Sequence, residues 1–185
     1  LQLLVGFHVQ LQHAHVGAVA LSPDAQLAAI ATDGGRVSVA ALGTAHKLSW
    51  QAHEAGIWTV AFDPFGRYLA TGGLDHHVKI WEPRTGELVH TLKEPKEAIH
   101  TVAFAPNGLY IATAGADSIV RLYRASTGKL MRRFTGHMGT VRSLVFDETG
   151  RRLASAGDHS VRIWELKTGQ ELSSIGWEFA ITSLA

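Results

Sequence analysis

One set of residues in this sequence could be mistaken for a hydrolytic active site. His137, Ser155 and Asp158 are the three residue types of a catalytic triad, in which a histidine activates a serine hydroxyl and a carboxylate orients the histidine. Such a triad also needs an accessible hydroxyl and nearby oxyanion donors. The residues around Ser155 do not form a glycine-rich nucleophile elbow. We therefore favour a structural role for the three residues over catalysis.

The same arrangement occurs earlier in the chain with threonine in place of serine. His53, Thr71 and Asp75 follow each other at nearly the same spacing, and Trp81 comes soon after them. Trp164 follows the later set in the same way. A duplicated set with an interchangeable hydroxyl is typical of a repeated structural element, so the elements that hold these residues must repeat as well.

The whole chain has a period of 41 to 42 residues. A proline ends a β-like run three times, at Pro23, Pro64 and Pro106. An aromatic residue closes a short apolar run at the same interval, at Trp81, Tyr123 and Trp164. The period predicts four copies, at residues 12–51, 52–93, 94–135 and 136–175, and a partial fifth copy at 176–185.

Each copy has the pattern of short strands separated by turns. In the second copy, residues 57–62, 68–72, 78–81 and 88–92 are rich in β-branched, aromatic and small residues, and turn residues separate them. No window shows a sustained period of 3.6 residues, so we expect almost no helix. Four antiparallel strands in about 41 residues correspond to one blade of a β-propeller.

These residues resemble the WD40 repeat family along essentially the whole chain. The best copies carry the family pattern as His53, Thr71, Asp75 and Trp81-Glu82, and again as His137, Ser155, Asp158 and Trp164-Glu165. The resemblance implies an all-β, WD40-type propeller segment of four to four and a half blades. It also implies that each of these two sets is a buried hydrogen-bonded tetrad that ties a connection between blades to a turn within one blade.

The first and third copies depart from the family pattern. The third copy keeps Thr113 and Asp117, but Pro95 stands at the histidine position and Tyr123 at the tryptophan position. The first copy has no tetrad, and its first strand, before Leu21, is predicted to be one or two residues short. We expect apolar packing alone to hold these two blades.

The resemblance also indicates where partners would bind. Family members commonly dock partners on the face that carries the tetrad loops, which we call the top face. The corresponding positions here are Trp58, His100, Arg142 and Thr182, with Leu74 and Thr140 beside them. Trp and Arg are frequent interface hot spots, although Trp58 could instead pack against a neighbouring blade.

Composition excludes several function classes. The 185 residues include no cysteine, so disulfides, thiolate metal sites and cysteine nucleophiles are absent. The net charge of +1 argues against a strongly cationic nucleic-acid binder, and solvated edges explain the arginine pairs at 132–133 and 151–152 better than a phosphate track does. The histidine pairs at 13–15 and 76–77 lack further ligands, so we predict no metal and no cofactor.

Four blades and a fragment do not close a ring. Residues 5–9 look like the last strand of a preceding blade, so we expect an excerpt of a propeller of about seven blades, with the assembly of several chains as the alternative. We see no signal peptide or membrane span and expect a cytoplasmic protein without a membrane or nucleic-acid partner. The predicted function is a non-catalytic platform for a protein or peptide partner. The alternative is an accessory propeller within a larger enzyme or cofactor-containing protein.

Overall fold

The structure is a computed structural model that describes residues 15–176 and residue 183. These residues form sixteen β-strands in four four-stranded antiparallel sheets, so the predicted all-β propeller architecture is confirmed. In this part of the chain no helix is long and apolar enough to cross a membrane. The strand predicted at residues 5–9, His13 and Thr182 lie outside the described residues.

Each sheet is one blade, and its strands lie in chain order from first to last. The strands of blade 1 are β1 (Val16–Leu21), β2 (Leu27–Thr32), β3 (Arg36–Ala41) and β4 (Lys47–Gln51). Those of blade 2 are β5 (Ile57–Phe62), β6 (Leu69–Gly73), β7 (Val78–Glu82) and β8 (Glu87–Leu92). Those of blade 3 are β9 (Ile99–Phe104), β10 (Tyr110–Gly115), β11 (Val120–Arg124) and β12 (Leu130–Phe134). Those of blade 4 are β13 (Val141–Phe146), β14 (Arg152–Gly157), β15 (Ser160–Glu165) and β16 (Glu171–Gly176).

The core consists of the layers between neighbouring blades. Between blades 1 and 2, Leu27 and Val39 belong to the same buried cluster as Ile57, Leu69 and Trp81. Corresponding clusters lie between blades 2 and 3 and between blades 3 and 4. The two inner strands of blades 2 and 3 are therefore buried on both faces, which explains why they read as nearly continuous runs of apolar and small residues.

The prediction of a short first strand in blade 1 is wrong. β1 has six residues, as β5 has, and the pairing of Val16 with Thr32 corresponds to the pairing of Ile57 with Gly73. The strand looked short because its residues are small and it begins with Val16-Gly17, which lacks the bulky residues found at the same place in the other copies. With this register, Gly17 occupies in blade 1 the position of Trp58 in blade 2.

The outer faces of blades 1 and 4 are apolar and uncovered by any described residue. Val19 is 68% exposed, whereas Val60, its counterpart in blade 2, is 9% exposed because blade 1 covers it. Val16 and Leu21 lie on the same strand as Val19 and are also exposed. In blade 4, Ile175 on β16 is exposed, whereas Phe134, its counterpart in blade 3, is buried.

Candidate docking face and the polar relays beneath it

A chain of hydrogen bonds joins four side chains in blade 2. The Nδ1 atom of His53 lies 2.8 Å and 2.9 Å from the two carboxylate oxygens of Asp75, and its Nε2 atom lies 2.7 Å from the Thr71 hydroxyl oxygen. The indole N–H of Trp81 donates to the same hydroxyl over 2.9 Å. Because the ionised carboxylate of Asp75 only accepts, the proton of the neutral histidine lies on Nδ1, and Nε2 therefore accepts the proton of the Thr71 hydroxyl.

Blade 4 repeats this relay with serine. The imidazole of His137 lies 3.2 Å from Asp158 and 2.7 Å from the hydroxyl of Ser155, to which Trp164 donates over 2.8 Å. The backbone N–H of Met138 also donates to Asp158, over 2.8 Å. In both blades the histidine comes from the connection between blades and the aspartate from the turn between the second and third strands. The relay therefore ties neighbouring elements together at one end of the blade.

The geometry of these relays does not suit nucleophilic catalysis. Ser155 is completely buried, and its oxygen is held between an indole N–H and an imidazole. A serine nucleophile needs a free approach for the carbonyl carbon of a substrate and donors for the oxyanion that forms. The buried hydroxyl instead satisfies two polar groups that would otherwise lack a partner.

Burial and hydrogen bonding shift the pKa values of the relay residues. Burial lowers the pKa of His53 and of His137, because the charged imidazolium is poorly solvated there, although the aspartates oppose this effect. Burial acts to raise the pKa of Asp158, but the donors around its carboxylate, including the Met138 N–H and His137, outweigh it and lower the pKa to about 2. Neutral histidines beside ionised aspartates thus carry the relays at neutral pH.

Blade 3 has an ion pair where blades 2 and 4 have a histidine relay. Pro95 replaces the histidine, and the guanidinium of Arg121 forms an ion pair of 2.7 Å with Asp117. Arg121 is buried, and its Nε atom has no hydrogen-bond partner. The hydroxyls of Thr113 and Tyr123, at the relay positions, are also buried, and they interact only weakly with each other. The expectation that apolar packing alone holds this blade is therefore wrong, since a buried ion pair occupies the site.

The predicted top-face residues lie at the same end of the blades as the relays. Trp58, His100 and Arg142 each stand on a β-bulge, at the point where the register between the first and second strands of their blades shifts by one residue. Gly17 is the bulge residue of blade 1. A bulge turns its extra side chain away from the regular alternation of the strand. The bulge residues, each the second residue of the first strand of its blade, therefore occupy equivalent positions and form a row along this face, which we call the bulge row.

A glycine opposite the bulge keeps this geometry possible in blades 2, 3 and 4. A Cβ atom added to Gly115 would lie 1.9 Å from the carbonyl oxygen of Ala98, and one added to Gly157 would lie 2.1 Å from that of Thr140. Both distances are far below contact distance, so only glycine allows the backbones to approach this closely. Thr140 thus contributes its backbone to the bulge, while its side chain is partly exposed.

Members of the row contact each other across the blades. The ring of Trp58 lies 4.4 Å from that of His100, centroid to centroid, at an angle of 44°. Trp58 is nevertheless 41% exposed, so it packs against the next blade and still faces solvent. Burial and the positive charge of Arg142 lower the pKa of His100. The row therefore presents an aromatic surface, a neutral imidazole and an exposed guanidinium in sequence.

Leu74 and Met138 widen the apolar part of this face. Leu74 is exposed at the turn of blade 2, and its side chain lies near Gly56. Blade 4 has no counterpart of Leu74, because its turn is one residue shorter and Gly157 ends a buried strand. Met138 is 91% exposed and was missed by the sequence analysis, although its position directly after a relay histidine could have indicated it.

In the part of the chain that the structure describes, no group of three His, Cys, Asp or Glu side chains could hold a metal ion. His76 and His77 lie in the β6–β7 turn beside Asp75. The backbone N–H of His77 donates to that carboxylate over 3.2 Å, whereas its imidazole Nδ1 lies 3.9 Å away. Asp75 is already bound to His53, so its oxygens serve the relay.

Comparison with known proteins identifies the class of protein that this fold defines. The model of the WD domain, G-beta repeat, matches residues 45–82, 86–124 and 128–165. Each match begins with the last strand of one blade and continues through the first three strands of the next, so the sequence repeat straddles two blades. The chain belongs to the WD40 repeat family.

Individual relatives include subunits of several assemblies. The chain is 43% identical over 54 residues to eukaryotic translation initiation factor 3 subunit I of Pyricularia oryzae, which is 29% of this chain and 14% of that protein. It is 31% identical over 78 residues to COMPASS component SWD3 of Saccharomyces cerevisiae, which is 42% of this chain and 25% of that protein.

Solved structures share the fold over nearly the whole chain. A chain in the crystal structure of a mitotic checkpoint complex superimposes with a TM-score of 0.87 at 20% identity, over 93% of this chain and 54% of that one. U3-55K superimposes with a TM-score of 0.84 at 18% identity, over 94% and 55%. The chain thus spans about half the length of these two solved chains.

Proposed function

We propose that this chain is a non-catalytic interaction platform and that a protein or peptide partner docks on its top face. The docking residues are Trp58, Leu74, His100, Thr140 and Arg142. The observation that carries the proposal is the row of bulge residues, in which Trp58 packs on His100 of the next blade and remains 41% exposed. A large aromatic side chain held in place but still accessible loses little entropy on binding.

The chemistry of this face suits a protein surface. Tryptophan and arginine are the residues most often found as hot spots, and Arg142 has no ion pair within 4.0 Å among the described residues. Leu74 and Met138 add exposed apolar area on the same face. The names of the relatives support a protein partner, because they describe a subunit of an initiation factor, a component of COMPASS and a checkpoint complex.

The buried relays support a role without catalysis. The two hydroxyls that resemble nucleophiles, on Thr71 and Ser155, lie inside the blades and serve as acceptors for Trp81 and Trp164. The relays of blades 2 and 4 hold in place the connections that lead into the bulge-bearing strands β5 and β13, since each relay joins a connection between blades to a turn on the same face. A stiff face lowers the conformational cost of docking.

Further blades, from the same chain or from other chains, would cover the exposed outer faces of blades 1 and 4. The exposed face of β1 corresponds in register to the face of β5 that blade 1 covers, so a preceding blade of the same construction fits it. The share of the solved WD40 chains that this chain spans is compatible with a ring of about seven blades.

A capture experiment with paired variants tests the docking face. Trp58→Ala should reduce capture of protein partners from a cell extract, with an unchanged melting temperature. Phe65→Ala is the matched control, because Phe65 is also an exposed aromatic residue but lies in the β5–β6 turn at the opposite end of blade 2. Equal capture of every partner by wild type and Trp58→Ala, with the fold intact, would contradict the proposed face.

A further inference from the structure

A second site lies at the end of the blades opposite the top face. A cleft of about 650 Å³ opens between blades 3 and 4. Arg151 stands in the β13–β14 turn and Lys167 in the β15–β16 turn, whereas the relay residue Asp158 stands in the β14–β15 turn. Because successive turns of an antiparallel sheet alternate between its two ends, the cleft and the relays lie at opposite ends of blade 4.

The cleft combines an apolar floor with a basic rim. Leu122 is buried at its floor, and the side chain of Met131 is exposed at its edge. Three of its lining residues are cationic, namely Arg132, Arg151 and Lys167. Among the described lining residues Glu165 is the one carboxylate, and one of its oxygens accepts a hydrogen bond from Thr168.

Of the three cationic side chains on this rim, Arg132 is hydrogen-bonded within the protein, whereas Arg151 and Lys167 have no ion pair among the described residues. The guanidinium of Arg132 donates to the carbonyl oxygens of Lys167 and Thr168, at 3.0 Å and 2.8 Å, and so holds the β15–β16 turn against β12. Arg151 and Lys167 are exposed, and neither has an ion pair within 4.0 Å in the described part of the chain. Two cations therefore face the opening of a cleft that Arg132 keeps in shape.

The corresponding cleft between blades 1 and 2 differs in charge. Arg67 occupies there the position of Arg151, but its guanidinium is paired with Asp63 at 3.3 Å. Asp24 and Glu82 also line that cleft and balance Arg67 and Arg84. The excess of positive charge therefore distinguishes the cleft between blades 3 and 4 and is not a general consequence of the repeat.

We propose that the cleft between blades 3 and 4 binds a segment of a partner protein in which acidic side chains flank one aliphatic side chain. The aliphatic side chain contacts Met131 and Leu122, and the carboxylates pair with Arg151 and Lys167. Charge complementarity selects an acidic segment, and the apolar floor selects an aliphatic residue within it. This site does not depend on the top face, which lies at the other end of the blades.

A labelled peptide tests the site in the full-length protein. The probe is a short fluorescein-labelled peptide with one leucine between pairs of glutamates, and fluorescence anisotropy measures its binding. The double variant Arg151→Glu/Lys167→Glu should weaken binding by about tenfold or more, since it replaces attraction by repulsion. Met131→Ser should also weaken binding. Arg142→Glu, a charge reversal of the same kind on the top face, should leave binding unchanged.

Other outcomes overturn the proposal. No binding of the peptide to the wild-type protein at millimolar concentration overturns it, and so does equal binding to the double variant. If Arg142→Glu loses binding and the double variant does not, the peptide binds at the top face instead of in the cleft. If a peptide with serine in place of leucine binds equally well, the apolar floor has no role and the proposed specificity is wrong. Melting temperatures equal to that of the wild type show that each variant is folded.

Discussion

The guanidinium of Arg121 forms an ion pair of 2.7 Å with the carboxylate of Asp117, and Arg121 is almost completely buried. In blade 2 the corresponding aspartate, Asp75, is paired with the imidazole of His53. Pro95 removes that imidazole from blade 3, and a cation from the third strand takes its place beside the carboxylate. The same propeller thus holds its turns with neutral histidine relays in two blades and with an ion pair in another.

Removing the relay hydroxyl of blade 2 should destabilise the protein. Thr71→Val keeps the volume of the side chain but leaves His53 and Trp81 without their shared partner, which should cost about 1–3 kcal/mol. Thr71→Ser keeps the hydroxyl and loses one methyl group, which should cost about 0.8 kcal/mol. Thermal unfolding compares them, at about 2–4 °C per kcal/mol. A Thr71→Ser variant as unstable as Thr71→Val would show that the hydroxyl does not contribute to the stability of the protein.

The equivalent change in blade 3 should have a different result. The hydroxyl of Thr113 is buried and interacts only weakly with the Tyr123 hydroxyl, so Thr113→Val removes a poorly satisfied polar group. We expect the free energy of unfolding to stay the same or to rise, since removal of a poorly satisfied buried hydroxyl relieves a desolvation cost. Chemical denaturation measures the change. A loss comparable with that of Thr71→Val would mean that the Thr113 hydroxyl is well satisfied in solution.

Stability should decrease on acidification because of the relay histidines. Burial lowers the pKa of His53 and His137 in the folded state, so the unfolded state binds protons more readily. Their contribution is complete above the unfolded pKa of about 6.5 and is lost as the pH falls towards the folded pKa. The lowered pKa of Asp158, about 2 against an ordinary 3.8, adds a second loss at lower pH.

Melting temperatures between pH 8 and pH 4 test this expectation. The wild type should lose stability below about pH 6.5. The double variant His53→Gln/His137→Gln should melt lower at pH 8 but show a smaller decrease across the same range. His100, whose pKa burial and Arg142 also lower, remains in both proteins and contributes equally. Parallel curves for the two proteins would exclude the relay histidines as the cause.

Charged substitutions distinguish covered from open faces. Val60→Asp should destabilise strongly in any context, because blade 1 covers Val60. Val19→Asp, at the same register position in blade 1, should destabilise the complete protein comparably if a further blade covers that face. Val89→Asp, on the outer strand β8, should have little effect. A Val19→Asp protein as stable as Val89→Asp would contradict the proposed coverage of the blade 1 face.

Much of the architecture follows from local pattern. The recurrence of prolines, closing aromatics and relay residues at 41 to 42 residues predicts the number of blades and the strands in them, because each blade buries the same positions against its neighbours. His53, Thr71, Asp75 and Trp81 could be assigned to a relay from sequence because they resemble the WD40 family pattern. The length of the first strand of blade 1, which is rich in small residues, was misjudged because its register depends on pairing rather than composition.

Tertiary structure alone decides what the repeated positions do. The glycine at residue 115 is visible in the sequence, but only the close approach of the Ala98 carbonyl explains it. The bulges that align Trp58, His100 and Arg142 depend on register shifts between paired strands. Arg121 pairs with Asp117 because the third strand brings it there, and Arg151 and Lys167 line the same cleft because their two turns lie at one end of the sheet. Sequence periodicity determines which residues are equivalent, whereas contacts between strands and blades determine which of them meet.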